Sequence, residues 1–233
     1  MSRRPGRPID VQLQERRRAE ILDQAAKLFA ARGYASTDTQ ELAAELNVSK
    51  GTIFRYFPTK RELFSAAIER SLEQLRLAVD VAADAVDDPL EKIIAAMTAY
   101  LRFFDDHPEV VELLILERAE FKDRISSYFD RRDRGAECDE YWRLLLTGLI
   151  ETRRLRELPV DHIRQVLGDL LYGTIFSNHM SGRARPFAEQ ANALFDIVFH
   201  GLFTERERRR TAPVSLAADE SHSPYESQAE QMI

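Results

Sequence analysis

The chain has 233 residues, of which 44% are hydrophobic, and this is enough to bury one large core or two smaller ones. Its single cysteine, Cys138, excludes an internal disulfide and is typical of a reducing compartment. No apolar run reaches the length of a membrane span, and the basic N-terminus lacks the apolar segment of a targeting signal. We therefore expect a cytoplasmic protein with no membrane partner.

The net charge of −6 is distributed unevenly along the chain. Residues 1–60 carry 11 Lys or Arg and 7 Asp or Glu, a net charge of +4, whereas residues 61–233 carry a net charge of −10. A basic N-terminal quarter on an acidic body favours a protein that presents only one end to nucleic-acid phosphate.

Residues 1–13 are predicted to form a flexible basic arm. Residues 2–8 hold three arginines among Pro and Gly, which disfavour regular structure. The Gly-Arg-Pro at residues 6–8 resembles the core of arms that insert an Arg into a narrow A·T minor groove, so Arg7 is a candidate DNA contact. The alternative is a solvated tail with a general affinity for phosphate.

Two short helices joined by a tight turn are predicted within residues 37–60. An amphipathic helix over residues 14–32 precedes them, and Gly33 ends it. Thr37 is predicted to cap the first short helix, while Gln40, three residues on, reaches back to complete a capping box.

The turn between the two short helices is predicted at Asn47, because Asn tolerates the left-handed backbone conformation. Ser49 is then the N-cap of a second helix over residues 50–57. Pro58 ends this helix, and a third helix starts at about Lys60. The arrangement predicts a helix-turn-helix, a unit that reads DNA.

The second short helix has two different faces. Ile53 and Phe57 lie four residues apart and are expected to be buried against the first short helix. The opposite face is polar and basic, as a major-groove reading surface requires. The predicted DNA contacts, in addition to Arg7, are Thr37, Thr39, Gln40, Ser49, Lys50, Gly51, Thr52, Arg55, Tyr56 and Lys60.

Many residues across this region match one known pattern, in order: Gly33, Tyr34, Thr37, Leu42, Ala43, Val48, Ser49, Lys50, Gly51, Thr52, Tyr56, Phe57, Lys60, Leu63 and Phe64. Through them, residues 15–66 resemble the DNA-binding domain of the TetR/AcrR family of bacterial transcriptional regulators. The chain departs from the pattern at Asn47, where many members have Gly, and at Phe54, where many have Tyr. The resemblance implies a helical body with a pocket for a small molecule, whose binding moves the reading helices.

A long helix is predicted from residue 60 to residue 80 or beyond, and it would carry the chain from the DNA-binding head into the body. Further helices are predicted over residues 89–104, from residue 108, and over residues 123–151. Their aromatic and aliphatic side chains are expected to be mostly core, with some lining a pocket for a small apolar or amphipathic ligand. For Arg118 the alternative is a surface salt-bridge network. The pocket candidates are Phe103, Phe104, Leu114, Arg118, Phe121, Tyr128, Trp142, Tyr172 and Phe176.

Two final helices are predicted over residues 161–181 and 186–207. Their apolar stripes are too wide for helices that leave one face in water, and glycines inside the first favour a close helix crossing. Helix pairs from two subunits would form a four-helix bundle about a two-fold axis, and the family resemblance also implies a dimer interface here. The predicted interface residues are Leu167, Gly168, Leu171, Ile175, Leu194, Phe195, Val198 and Leu202.

The predicted fold is all-α. An N-terminal three-helix helix-turn-helix domain over residues 14–60 precedes a C-terminal helical ligand-binding and dimerisation domain over residues 61–209. Residues 210–233 are polar and aperiodic and are predicted to be a disordered tail. No metal or cofactor is predicted, because the acidic residues around Cys138 have no histidine at ligand spacing.

The leading hypothesis is a homodimeric repressor that binds a palindromic operator in double-stranded DNA and is released by a small ligand. An activator or global regulator of the same family is the alternative. An enzyme is disfavoured, because the five histidines are scattered and no Gly-rich phosphate loop appears. A purely structural DNA-bending protein is disfavoured because it has no use for a large acidic body.

Overall fold

The computed structural model describes residues 11–121, 136–182, 187–202 and 204–208. Over these residues the chain is all-α, as predicted, and none of the helices is both long and apolar enough to cross a membrane. The helices are α1 Val11–Arg32, α2 Thr39–Glu45, α3 Lys50–Tyr56, α4 Lys60–Asp84, α5 Pro89–Asp106, α6 Pro108–Glu120, α7 Ala136–Glu151, α8 Val160–Ser181, α9 Phe187–Leu202 and α10 Glu205–Arg208.

Helices α1 to α3 and the start of α4 form a small N-terminal head, and local capping sets their boundaries. Gly33 follows the end of α1 with a φ of 79°, and Asn47 adopts a φ of 51°, which confirms the predicted left-handed turn between α2 and α3. Ser49 caps α3 as predicted, because its Oγ accepts a hydrogen bond from the backbone N–H of Thr52 at 3.2 Å. Thr59 caps α4 in the same way.

The prediction for the start of α2 is wrong. Asp38, rather than Thr37, is the N-cap, and its Oδ1 accepts a hydrogen bond from the backbone N–H of Gln40 at 2.8 Å. The Thr37 hydroxyl instead donates to the carbonyl of Gly33 at 2.7 Å. Both residue types cap helices well. The return of the chain across the end of α1 buries Thr37, and this leaves the cap position to the next residue.

A shared apolar core fixes the orientation of α3 within the head. Phe29 of α1 and Phe64 of α4 meet at right angles, with ring centres 5.0 Å apart. Each side chain of this kind stabilises the fold by about 1.5–3 kcal/mol when it is fully buried. The buried residues are Ile21, Leu22, Ala25, Ala26, Leu28, Phe29, Leu42, Ala43, Ile53, Phe57, Leu63, Phe64, Ala67 and Ile68.

Helix α4 connects the head to the body without a break. Its 25 residues correspond to a length of about 37 Å. Arg70 of α4 binds Asp23 of α1 in a two-pronged ion pair, with Nε–Oδ1 and Nη2–Oδ2 distances of 2.6 and 2.9 Å. Such fork-like pairs are the more directional kind of ion pair. The head and the first half of α4 are therefore expected to move together.

Helix α5 is the centre of the body. It begins at residue 89, as predicted, with Pro89 at the first helical position; Asp88 is its N-cap, and the Oδ1 of Asp88 accepts a hydrogen bond from the backbone N–H of Leu90 at 2.8 Å. It packs against α4 and α6 and also against α7, α8 and α9. Its buried side chains include Ile93, Met97 and Phe104 and others that line the same face.

The last predicted helix is interrupted. Residues 186–207 were expected to form one helix, but α9 ends at Leu202 and the short α10 follows. Thr204 lies between the two helices. Its hydroxyl donates to the carbonyl of Arg153 at 3.0 Å and accepts a hydrogen bond from the backbone N–H of Glu207 at 3.3 Å. A threonine that bonds its own backbone in this way favours a new helix start over continuation.

Arg154 joins three distant parts of the chain at this end of the body. It donates to the Asp88 carboxylate at the start of α5 and, from Nε and Nη2, to Oε1 of Glu207 at 3.2 and 3.0 Å. Only 3% of Glu207 is exposed, and a carboxylate buried to this degree requires such a partner. Arg156 adds a hydrogen bond to the carbonyl of Gly201 at 2.8 Å. The end of α9 and α10 are thus held against the α7–α8 loop.

Candidate nucleic-acid interface

The outer face of α3 carries the polar and basic side chains that the sequence predicts there. Lys50, Gly51 and Arg55 are exposed, and Thr52 and Tyr56 are partly exposed. The inner side of the same helix is held by the core of the head. These side chains therefore project from a rigid platform, as precise recognition of a partner requires.

At the start of α3, small side chains that are held by hydrogen bonds leave the helix backbone accessible. The hydroxyl oxygens of Ser49 and Thr52 lie 3.0 Å apart, in addition to the capping hydrogen bond between these residues. Gly51 has no side chain, and a Cβ atom added there would meet only the Ser49 hydroxyl, at 3.7 Å. A duplex can therefore approach the backbone of α3 closely at this point.

Asp38 places a negative charge beside the basic residues, a role that was not predicted from the sequence. Lys50 Nζ lies 3.6 Å from Oδ1 of Asp38. The pKa of Asp38 is lowered first by the hydrogen bond from the backbone N–H of Gln40 and further by the charge of Lys50. The signal was present, because an Asp just before the helix is among the strongest N-cap residues.

Lys60 has a structural partner as well as its predicted role at phosphate. Its Nζ donates to the carbonyl of Ala35 at 3.0 Å and lies 5.0 Å from the centre of the Tyr34 ring. These contacts tie the start of α4 to the loop that leads into α2. The ammonium group of Lys60, which is predicted to contact DNA phosphate, therefore also stabilises the packing of the head.

The structure contradicts two of the predicted DNA contacts. Only 4% of Thr37 and 6% of Thr39 are exposed, so neither side chain offers a surface to a partner. Thr37 is buried where its hydroxyl donates to the carbonyl of Gly33 at the end of α1, and Thr39 is a buried residue of the first turn of α2. Gln40 is exposed and stays a candidate. Arg7 lies outside the described residues.

The described pocket candidates occupy four kinds of position: the core between α5 and α6, its partly buried margin, the surface of the body, and the junction with the head. Phe103, Phe104 and Leu114 are buried where α5 and α6 pack, and the two Phe rings meet at right angles with centres 5.6 Å apart. Trp142 and Phe176 are partly buried against the same core. The aromatic stripe is thus largely core, as the sequence analysis expected of most of its members.

Two further candidates, Arg118 and Tyr172, lie at the surface of the body. Burial of part of the Tyr172 ring raises the pKa of its hydroxyl, and the positive charge of Arg118 opposes this shift. Helices α6 and α8, which carry these two side chains, pack against each other. The Tyr172 ring also packs on Phe176, with centres 4.2 Å apart.

Phe121 belongs to the junction between head and body rather than to the interior of the body, which corrects its assignment to the pocket. It follows the last residue of α6 and packs against Tyr34 of the head, with ring centres 5.0 Å apart, and against Phe64 of α4 at 5.8 Å. The guanidinium of Arg61 lies 4.6 Å from the centre of its ring. Aromatic spacing along the chain could not reveal this, since all three partners are remote in sequence.

The structure contradicts three of the predicted dimer-interface residues, whereas Gly168 is exposed and stays a candidate. Ile175, Phe195 and Val198 are buried in the core of the single chain and offer nothing to a second copy. Leu167, Leu171 and Leu194 are partly buried against that core. The exposed apolar side chains of these two helices lie on a different side from the buried ones. They are Val166, Leu170, Tyr172 and Met180 of α8 and Ile197 of α9.

Three further sequence predictions concern parts of the chain that the structure does not describe. Tyr128 lies outside the described residues, and so do the side chains of Cys138 and Leu202. Within the described part of the chain, no three His, Cys, Asp or Glu side chains are grouped as a metal site.

The head and the outer face of α3 define a helix-turn-helix DNA-binding protein with a helical body. The family described as bacterial regulatory proteins, tetR family, matches residues 21–67. The chain is 31% identical over 189 residues to the nucleoid occlusion factor SlmA of Vibrio campbellii, and the match covers 77% of this chain and 90% of that protein. It is 30% identical over 96 residues to the HTH-type transcriptional regulator HbdR of Aromatoleum sp., covering 41% of this chain and 42% of that one.

A solved structure supports the same assignment. The TetR family transcriptional regulator PfmR from Thermus thermophilus is 27% identical, with a TM-score of 0.59, over 78% of this chain and 94% of that one. The chain therefore belongs to the TetR family of bacterial regulatory proteins. It is a DNA-binding transcriptional regulator, which confirms the resemblance seen in the sequence.

Proposed function

We propose that this regulator is a homodimeric repressor that binds a palindromic operator and leaves it when a small ligand binds the body. One observation carries the proposal: the exposed basic face of α3 is rigidly held in a head that the unbroken α4 connects to the body. Arg55 and Lys50 supply charge and hydrogen-bond donors for base edges and phosphates. The body is too large and too acidic to serve as part of that contact surface.

The proposed dimer brings together the exposed apolar sides of α8 and α9 from two copies. An apolar side chain such as Ile197, with 73% of its surface exposed, gains free energy only when a partner covers it. Positions 168 and 173 are glycines, and a Cβ atom added at either would meet nothing within 4 Å. A facing helix has room to approach closely there. Two such pairs would form a four-helix bundle about a two-fold axis.

A two-fold dimer determines the form of the operator. The two α3 helices would enter successive major grooves about 34–36 Å apart, one turn of the duplex. Each half-site would then be read by one subunit in opposite orientation. The proposed operator is therefore palindromic, with one fixed spacing between half-sites.

Ligand release is proposed to act through two elements by which the described part of the body contacts the head. These are α4, which continues into the head, and the end of α6, where Phe121 packs against Tyr34 and Phe64. A ligand that prefers a body in which these elements have moved would lower operator affinity, and operator DNA would weaken ligand binding by the same factor. Reversing a 99:1 equilibrium requires a difference in affinity of about 10⁴.

The proposed ligand site lies among α5, α6, α7 and α8. These helices carry Phe103 and Phe104, which are buried, and Trp142 and Phe176, which pack against the same core. An apolar lining with few polar groups is typical of sites for small apolar or amphipathic molecules.

The test is DNA binding by the full-length protein, measured by fluorescence anisotropy across a salt series. The probe is the DNA immediately upstream of the protein's own gene, and the control is a scrambled duplex of equal composition. We expect tight, selective binding of one or two dimers, with affinity that falls as salt rises. Weak binding that is indifferent to sequence would contradict an operator immediately upstream of the gene. Selection from random DNA would then decide whether the head binds any sequence selectively.

A second candidate is a global regulator that binds many chromosomal sites. The relative with 31% identity, which aligns with most of this chain, is named a nucleoid occlusion factor, and this favours a role beyond a single promoter. Immunoprecipitation of bound DNA from cells separates the two. One or a few strong sites near promoters support the local repressor, whereas tens of sites spread over the chromosome support the global regulator.

A further inference from the structure

Phe54 is an exposed aromatic side chain on the polar side of α3. As much as 37% of it is exposed, whereas the neighbouring apolar residues Ile53 and Phe57 are buried. The exposed part of the ring contributes nothing to the core of the head. An apolar surface in this position gains free energy only if a partner covers it.

The surroundings of the ring leave it open on one side. A side chain on a helix lies over the turn that precedes its own Cα, and for Phe54 this turn contains Lys50 and Gly51. Gly51 has no side chain that could cover the ring. Lys50 places its Nζ 5.9 Å from the ring centre. A positive charge thus borders an open apolar surface.

We infer that Phe54 recognises a thymine by covering its 5-methyl group in the major groove, an inference that rests on the proposed function. The thymine methyl is the one apolar group that the base edges present in this groove, and Phe is one of the side chains suited to it. Phe54 has no hydrogen-bonding group, so it cannot read the polar edges of the other bases. Lys50 beside it supplies the charge that the nearby DNA requires.

Thr52 is the nearest competitor for this role, because its methyl group could also contact a thymine. Its hydroxyl lies 3.0 Å from the hydroxyl of Ser49, and its backbone N–H is bound by the same atom. These contacts hold Thr52 at the capped start of α3, and it is less exposed than Phe54. The contributions of Phe54 and Thr52 can be distinguished by removing each methyl contact in turn and measuring DNA affinity.

The experiment first selects the preferred operator of the wild-type protein from random DNA. Each thymine of that operator is then replaced by deoxyuridine, which removes the 5-methyl group and leaves every hydrogen-bonding atom in place. Affinity is measured by anisotropy for the wild type and for Phe54→Ala, with Thr52→Ser as the matched variant that removes a different methyl group. Circular dichroism checks that the Ala variant is folded at the temperature of the binding assay, because only 37% of the Phe54 side chain is exposed and its removal also costs packing.

At one symmetry-related pair of thymines, we expect deoxyuridine to weaken wild-type binding about fourfold for one half-site and about 15-fold for both. Phe54→Ala should bind the thymine and deoxyuridine operators equally at that pair, while Thr52→Ser keeps the wild-type difference. The inference is overturned if Phe54→Ala keeps the difference, if only Thr52→Ser abolishes it, or if no thymine methyl affects wild-type binding to a selected operator. A wild-type protein that selects no sequence would overturn the proposed function together with this inference.

Discussion

The ring of Phe121 packs edge-on against the ring of Tyr34, with ring centres 5.0 Å apart and planes inclined at 80°. Phe121 follows the end of α6 in the body, and Tyr34 follows the end of α1 in the head. The ammonium group of Lys60 lies 5.0 Å from the centre of the same Tyr34 ring. The end of α6 therefore contacts the loop that precedes the helix-turn-helix.

Replacement of Phe121 by Ala is expected to loosen the angle between head and body. An aromatic pair contributes about 0.5–1.5 kcal/mol beyond its buried area, so operator affinity should fall about twofold to tenfold. The preference for one half-site spacing should also weaken, because the two heads are then held less rigidly. The measurement is anisotropy with the operator and with a version carrying one inserted base pair between half-sites.

The control for Phe121 is Tyr100→Ala, which removes an aromatic contact to Phe104 inside the body, at a ring distance of 5.2 Å. This variant should keep the full spacing preference. If Phe121→Ala discriminates between the two operators as strongly as wild type does, Phe121 does not position the head.

Arg55 and Lys60 are expected to contribute differently to DNA binding. Arg55→Ala should reduce discrimination between the operator and altered operators by about 1–3 kcal/mol, because an exposed Arg on α3 is suited to base edges. Lys60→Ala should weaken binding to all sequences similarly and reduce the slope of log affinity against log salt by about 1. Equal losses from both variants on every duplex would contradict a base-reading role for Arg55.

Ile197 is expected to be essential for dimer formation. Ile197→Glu places a charge in the proposed apolar interface, where it would lose its hydration, so the protein should become monomeric. The matched control is Leu77→Glu, which places the same charge at an exposed Leu of α4. Light scattering after size exclusion measures the mass. A dimeric Ile197→Glu protein would show that the interface lies elsewhere.

The ion pair between Asp88 and Arg154 is expected to make stability depend on pH. The hydrogen bond from Arg154 is the largest influence on the pKa of Asp88 and lowers it, and the backbone N–H groups of Glu91 and Leu90 lower it further. A carboxylate with a lowered pKa stabilises the fold above its ordinary pKa of 3.8, and this contribution is lost as the pH falls toward the folded-state value.

The variant that tests this pair is Asp88→Asn, which keeps an oxygen to cap α5 but removes the charge. At pH 7 its free energy of unfolding should be lower by about 1 kcal/mol, a value that allows for the partial exposure of the pair. The difference from wild type should shrink between about pH 5 and pH 3. Urea denaturation at several pH values measures it, and a difference that stays constant over this range would exclude this role for Asp88.

The sequence by itself determined the features that depend on neighbours close along the chain. The left-handed turn at Asn47, the cap at Ser49 and the start of α5 at Asp88 were all predictable, because each depends on a few consecutive residues and their backbone preferences. The same local pattern, continued over residues 15–66, was sufficient to recognise the family.

The tertiary structure alone decided which side of a helix faces inward and which distant residues meet. The stripes on α8 and α9 were visible in the sequence, but periodicity does not show that Ile175 and Phe195 fill the core of one chain while Ile197 faces outward. The contact of Phe121 with Tyr34 and the burial of Thr37 were hidden for the same reason. Burial depends on elements that are remote in sequence, and a local pattern carries no information about where those elements pack.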